Sequence, residues 1–232
     1  MSRGTYAERV AAARTPTANV LRAVAFATAA LLLATACGGE SSNYVVNKPA
    51  ETYFKVPKNW DVVAIVAPQD DQFLRGTSWA RFFAPEGLPP DVINDPSKSL
   101  EPVGMVTIGQ IEQGVYDQFG DLQLRAIVFT VAGEQQYVDP IDLINSQDDD
   151  FIRLLAFEAV RQDGLRGYRL RYQIKQEDRT LPPLVWEQTK LVHDNTHTYY
   201  SVKVVCQLDC FVKFRSDIDT IFDSLRVRRD QP

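Results

Sequence analysis

The chain has 232 residues, 45% of them apolar and 24% charged, with a formal net charge of −5. That composition suits one domain with a real core and excludes a disordered or low-complexity bulk. The acidic balance, with Lys and Arg gathered into no single stripe, argues against nucleic acid as a partner.

The N-terminus carries the strongest signal. Residues 1–22 hold Arg3, Arg9, Arg14 and Arg22 against one acid, Glu8, and an uncharged run from Ala23 to Ala36 (AVAFATAALLLATA) leads into Cys37-Gly38-Gly39. A basic leader, a short apolar stretch and small residues are the parts of a secretory signal. The stretch from Ala23 to Gly39 sits at the lower limit for crossing a bilayer and has no aromatic anchors, so a transmembrane helix is the weaker reading. Leu33-Ala34-Thr35-Ala36-Cys37 resembles a bacterial lipobox, with Ala34 where that pattern more often has Leu. The resemblance implies that Cys37 is acylated and becomes the first mature residue, anchoring the protein on the outer face of the cytoplasmic membrane. Several acyl chains on one residue anchor stably, where a single chain is marginal. Removing residues 1–36 takes away four basic residues and one acid, leaving a mature charge of −8. Attachment to the membrane then depends on the lipid and not on surface charge.

Residues 37–50, with Gly38, Gly39, Ser41 and Ser42, read as a flexible tether. A single globular domain is expected over residues 51–228. Thr52 to Val56 alternates as a strand, Pro57-Lys58-Asn59 punctuates, and Trp60 to Val66 reads as the next strand. Ser78 to Ala84 and Val103 to Ile111 follow as strands, separated by a five-proline stretch, Pro85 to Pro102, expected as a long surface loop. Asp121 to Thr130 reads as a short helix after Gly120. Asp149 to Arg161 is expected as the main helix, with Ser146 and Asp148 to Asp150 supplying a cap and first-turn charge and Gly164 beyond its end. Three alternating strands come next: Tyr168 to Ile174, Leu184 to Val192 and Thr198 to Cys206. Asp194-Asn195 marks a tight hairpin between the last two. Phe211 to Phe214 is expected to double back as a strand. A last helix starts at Ser216, with Asp219 as its capping partner and Ile218, Ile221, Phe222 and Leu225 as its apolar stripe. The class is α+β, an antiparallel sheet flanked by helices.

Tyr53-Phe54-Lys55-Val56-Pro57 with Trp60, and Ile218 with Ile221-Phe222-Asp223-Ser224-Leu225, together resemble the PsbP-like fold. That fold is shared by a photosystem II extrinsic subunit, a nuclear-import factor and many bacterial lipoproteins. Cys206-Gln207-Leu208-Asp209-Cys210-Phe211 is similar to a stretch of actinobacterial lipoproteins of unknown function. The resemblance implies a binding or assembly factor and brings no functional residues with it.

No catalytic constellation assembles from the sequence. The nucleophile motifs G-x-S-x-G and S-x-x-K are missing, and His193 and His197 read as turn polars, although they could face each other and hold a metal with Asp194. Asp139, Asp142 and Asp148 to Asp150 lack the order of a calcium loop. Trp60, Trp79 and Trp186 read as sheet packing ahead of a glycan platform. With Cys37 assigned to acylation, Cys206 and Cys210 remain as an even pair in an oxidising compartment and are expected to form a disulfide. In a straight strand their Cα atoms would lie about 13 Å apart, so the bond requires residues 207–209 to turn. The expected protein is therefore non-catalytic, with no catalytic residue, metal or cofactor, its partners the membrane and an envelope protein or glycan. A small cell-envelope hydrolase is the alternative.

Overall fold

Most of the chain from Ser42 onward alternates apolar and polar residues with the two-residue period of half-buried strands, and strands dominate the computed structural model. The structure describes residues 42–66, 74–88, 92, 99–118, 120–131, 134–145, 151–162, 164–176, 178 and 180–227. Residues 1–41, with the signal and Cys37, lie outside them, as does the Ser146 to Asp150 cap.

A seven-stranded antiparallel sheet forms the frame. Its strands are β3 (Trp60–Ile65), β4 (Leu74–Pro85), β5 (Val103–Ile111), β8 (Ile152–Gln162), β9 (Leu165–Ile174), β10 (Leu184–His193) and β11 (Thr198–Gln207), in the spatial order β3-β4-β5-β11-β10-β9-β8. β1 (Ser42–Asn47), β2 (Thr52–Pro57) and β12 (Arg226–Val227) make a second, three-stranded sheet, and β6 (Ile127–Val131) with β7 (Glu134–Val138) a small hairpin. Five short helices complete the domain: α1 (Gln113–Tyr116), α2 (Asp121–Arg125), α3 (Pro140–Asn145), α4 (Leu208–Lys213) and α5 (Arg215–Asp223). This is the expected α+β architecture. Among the described residues no helix is long and apolar enough to cross a membrane.

The two faces of the large sheet are covered differently. On the first, Val106, Ile108, Val185, Leu191, Tyr200, Val202, Val204 and Cys206 join Phe54 and Val56 of β2 and Phe211, Ile218, Ile221 and Phe222 of the last helices in one continuous cluster. On the second face the buried apolar residues form three separate clusters: around Leu124 and Tyr199, around Leu170 and Tyr172, and around Phe82 and Val205.

Several expected elements take another form. The tether ends early, because Ser42–Asn47 pairs with Thr52–Pro57 as β1, burying Val45 and Asn47. The helix expected over Asp149 to Arg161 is instead strand β8, paired with β9 from Ile152↔Ile174 to Gln162↔Leu165. A bulge between Leu154 and Ala156 explains the misleading spacing. It slips the register by one residue, so Ile152 and Leu154 before it and Phe157 and Ala159 after it oppose Ile174, Tyr172, Leu170 and Tyr168 on one face. Even and odd positions then fall on the same side, and the sum imitates helical spacing. Asp121 to Thr130 divides into helix α2 and strand β6. Phe211 to Phe214 continues helix α4 into the α4–α5 junction instead of returning as a strand, because Phe211 buries into the first-face cluster from the helix. The final helix begins at Arg215 without a side-chain cap, and Asp219 accepts from Arg215 Nε at 2.8 Å instead of capping.

Candidate binding groove

The groove is built from the two ends of the domain. In β1, alternation turns Val45 and Asn47 inward and leaves Tyr44 and Val46 about half exposed. The Lys48–Glu51 turn brings the chain back: Glu51 takes the left-handed conformation (φ 46°), and the Asn47 side chain accepts from the Ala50 N–H at 3.2 Å. In β2, Phe54 and Val56 are buried while Tyr53 and Lys55 line the open side. Tyr44 and Tyr53 pack with ring centroids 6.3 Å apart, and the Lys55 ammonium stands 5.0 Å from the Tyr44 ring centre. The facing wall comes from α4, α5 and β12, with exposed Val212, then Arg215, Ser216, Asp219, Thr220 and Arg226. Between the walls lies an open groove of about 940 Å³. A 2.8 Å hydrogen bond from the Lys55 N–H to Ser224 Oγ staples β2 to the end of α5.

Charge on the α5 wall is tied down from beneath. Glu187 of β10 is fully buried, with both carboxylate oxygens engaged. One accepts from Arg169 Nε at 2.7 Å, with Nη2 in ion-pair contact at 2.7 Å, and the other from Arg171 Nε at 2.8 Å, with Nη2 at 2.7 Å. The two arginines reach past it to α5. Arg169 Nη1 meets Asp223 at 2.6 Å, and Arg171 Nη2 lies 3.5 Å from Asp219. Burial works to lower the Arg169 pKa, but Asp223 and Glu187 outweigh it and hold the guanidinium more firmly protonated than usual. The rings of Phe222 and Phe211 carry these guanidiniums at 5.2 and 5.5 Å. The acids that rim the groove thus already have cationic partners, and the surface left for a ligand is two tyrosines, Val212, the hydroxyls of Ser216 and Thr220, and the basic side chains Lys55, Lys213 and Arg226.

Cys206 and Cys210 form the expected disulfide, Cα atoms 5.9 Å apart, at the point where β11 turns into α4. A first helical turn supplies the reversal that a straight strand could not. His193 and His197 flank the expected hairpin but do not face each other across it. His193 Nδ1 accepts from the Asn195 and Thr196 N–H groups at 3.3 Å each. His197, left-handed at φ 51°, stacks on Tyr116 at 3.8 Å. The Tyr116 hydroxyl donates to Asp194 at 2.8 Å, and Arg166 Nε to the same oxygen at 2.7 Å. Burial favours a protonated Asp194, yet those two hydrogen bonds prevail and keep its pKa below the usual value. Among the described residues no group of three or more His, Cys, Asp or Glu could hold a metal. Asp139 pairs with Arg125, while Asp148 to Asp150 lie outside the described residues. Trp60 is buried, Trp186 stacks near-parallel with Tyr172, and the Trp79 ring carries the Arg81 guanidinium at 4.6 Å.

Sequence reading missed the groove. Tyr44 falls within the stretch expected as a tether, and Arg169 and Arg171 carry no expectation of their own. Two arginines at i and i+2, opposite Glu187 on the next strand, are the signal that points to the buried carboxylate.

No protein-family model matches the chain, and no curated protein matches it. It is similar to solved structures. The solution structure of the cyanobacterial PsbP protein CyanoP from Synechocystis sp. PCC 6803 is 15% identical, covering 83% of this chain and 97% of that one, with a TM-score of 0.45. PA94 of Pseudomonas aeruginosa, a protein of unknown function and putative regulator, is 10% identical over 82% of this chain and all of its own, with a TM-score of 0.38. LpqN of Mycobacterium tuberculosis, involved in cell envelope biogenesis, is 11% identical over 81% of this chain and 86% of its own, with a TM-score of 0.33. Likeness this remote brings no activity across.

Proposed function

We propose that the chain is an extracytoplasmic lipoprotein, held to the cell membrane through Cys37, whose domain binds an envelope protein or glycan without catalysis. The observation that carries the binding half is the groove between the β1–β2 hairpin and α4–α5. Its rim acids have arginine partners, and it offers aromatic and apolar contact beside a few hydroxyls and the basic groups of Lys55, Lys213 and Arg226. Aromatic side chains with a polar tip are the usual anchors of recognition surfaces. Val212, 69% exposed on the opposite wall, gives a ligand an apolar counterpart to the tyrosines. The anchoring half rests on the basic leader, the apolar run and Cys37.

Two experiments test the two halves separately. Cys37→Ser should move the protein from the membrane pellet to the soluble or secreted fraction, and retention after a carbonate wash overturns the anchor. A photo-crosslinking amino acid at Val212 in intact cells should give discrete adducts that Tyr44→Ala with Tyr53→Ala abolish. Adducts indifferent to both tyrosines overturn the groove.

A further inference from the structure

A sheet face that only packs against its cover is expected to be apolar throughout. The second face of the large sheet breaks that rule at its centre. Strand register places Thr107 of β5 opposite Ser201 of β11, and Lys203 of β11 opposite Gln188 of β10. The four side chains therefore occupy two adjacent rows of three neighbouring central strands, with directly opposed Cβ atoms about 5 Å apart. The three apolar clusters of that face stand around them and do not close over into one. Thr107 is fully buried and Gln188 is 5% exposed, yet Thr107 Oγ1 and Gln188 Nε2 have no hydrogen-bond partner. Buried polar atoms in folded proteins are overwhelmingly paired, and two orphans in one patch call for a bound group. Among the described residues the Lys203 side chain has neither an ion pair nor a hydrogen bond. Lys190, in the row of Ser201, donates to Ala126 O at 3.0 Å. The strands bring no acid to this part of the face; Glu187, the nearest, points to the opposite one, toward Asp219 and Asp223 of α5 through the arginines.

We propose that Lys203, Gln188, Thr107 and Ser201 form a binding site for an oxyanion, the carboxylate or phosphate of a small organic ligand. Lys203 supplies the charge and, being only partly buried, the path to solvent. Gln188 supplies an N–H donor beside it, and the Thr107 and Ser201 hydroxyls serve the remaining oxygens. Met105, opposite Lys203 on β5 and 3% exposed, gives the patch an apolar wall. This site lies on the other side of the sheet from the groove and stands or falls independently of it.

The test is calorimetric titration and thermal melting of the mature domain with inorganic phosphate, malate and a short-chain phosphatidylglycerol as probes. Saturable binding is expected for at least one probe, with the preferred probe distinguishing a free anion from a lipid headgroup. Lys203→Gln should weaken it at least tenfold. Thr107→Val, isosteric and relieved of a buried hydroxyl, should melt no lower than the parent while losing ligand-induced stabilisation. That behaviour separates a site from a structural residue. Absence of saturable binding by all three probes overturns the proposal, as does binding unchanged in both variants.

Discussion

Glu187→Gln removes the charge from a carboxylate that accepts two hydrogen bonds and makes two further ion-pair contacts with two guanidiniums in a fully buried setting. Breaking a buried ion pair by removing one partner costs 3–5 kcal/mol as a rule, because the surviving charge stays buried and uncompensated. Here the survivors are not abandoned: Arg169 keeps Asp223 at 2.6 Å and Arg171 keeps Asp219 at 3.5 Å, both on α5. The cost is therefore set at the lower end, about 3 kcal/mol, which for a domain of this size lowers Tm by about 6–12 °C. Urea and thermal melts of the mature domain read it directly. A companion variant sharpens the reasoning. Replacing Glu187, Arg169 and Arg171 together by Met leaves no buried charge unpaired, since Asp219 keeps Arg215 and the Asp223 side chain is 65% exposed, and should come back to within about 1 kcal/mol of the parent. A loss below about 1 kcal/mol for Glu187→Gln, or a triple variant worse than the single, refutes the view that the cost at this carboxylate is that of an uncompensated buried charge.

Asp139→Asn tests the pair with Arg125, in which the guanidinium hydrogen bond holds the Asp139 carboxyl below its ordinary pKa of 3.8. A depressed folded-state pKa gives stability that is complete above the ordinary value and lost as pH falls through the folded one. The variant should be about 1 kcal/mol weaker at pH 7, with the gap closing as pH falls below the ordinary carboxylate range in urea melts, and a gap that does not shrink in acid counts against the ion pair. Gly167→Ala would drive its Cβ into the Lys190 carbonyl and the Leu191 backbone on the neighbouring strand, costing more than about 3 kcal/mol. Gly114→Ala, with open space around it, should be neutral or stabilising in the same melts. Mass spectrometry of the unreduced domain should show the Cys206–Cys210 peptide two hydrogens lighter than its reduced form, and reduction should cost about 2 kcal/mol. Two alkylatable thiols in protein taken from the envelope would contradict both the bond and the export argument.

Strands with plain alternation were legible in the sequence. Val103–Ile111 has the expected bounds, and Trp60–Ile65, Tyr168 to Ile174 and the hairpin at Asp194-Asn195 lie where period and turn residues put them. What was not legible depends on pairing. The bulge at Leu155 and the paired β1 look, from sequence, like a helix and a tether, since a register slip and a distant partner strand leave no local mark. Helix α4 was hidden for a related reason: Phe211 and Cys210 are apolar neighbours that suit a strand locally and a helix only once the core beneath them exists.

The same dependence on partners governs the groove. One wall is Ser42 to Pro57 and the other Leu208 to Val227, two ends of the sequence that only the folded domain brings together. Three restraints then act on the second wall: the disulfide at its start, the Glu187–arginine network under α5, and the Ser224 bond to β2 at its end. They fix backbone, helix position and the rim acids Asp219 and Asp223, and none of them touches Tyr44, Tyr53 or Val212. Tyr44, Tyr53 and Val212 are thereby presented on a held frame without being packed themselves. A preorganised surface of this kind keeps binding energy from being spent on ordering the wall. The buried carboxylate and the exposed tyrosines are accordingly parts of one arrangement: loosening α5 through Glu187 should widen the groove before the sheet itself gives way, because α5 is joined to the sheet by side-chain packing and the arginine network while β5, β11, β10 and β9 hold one another by backbone ladders along their full lengths.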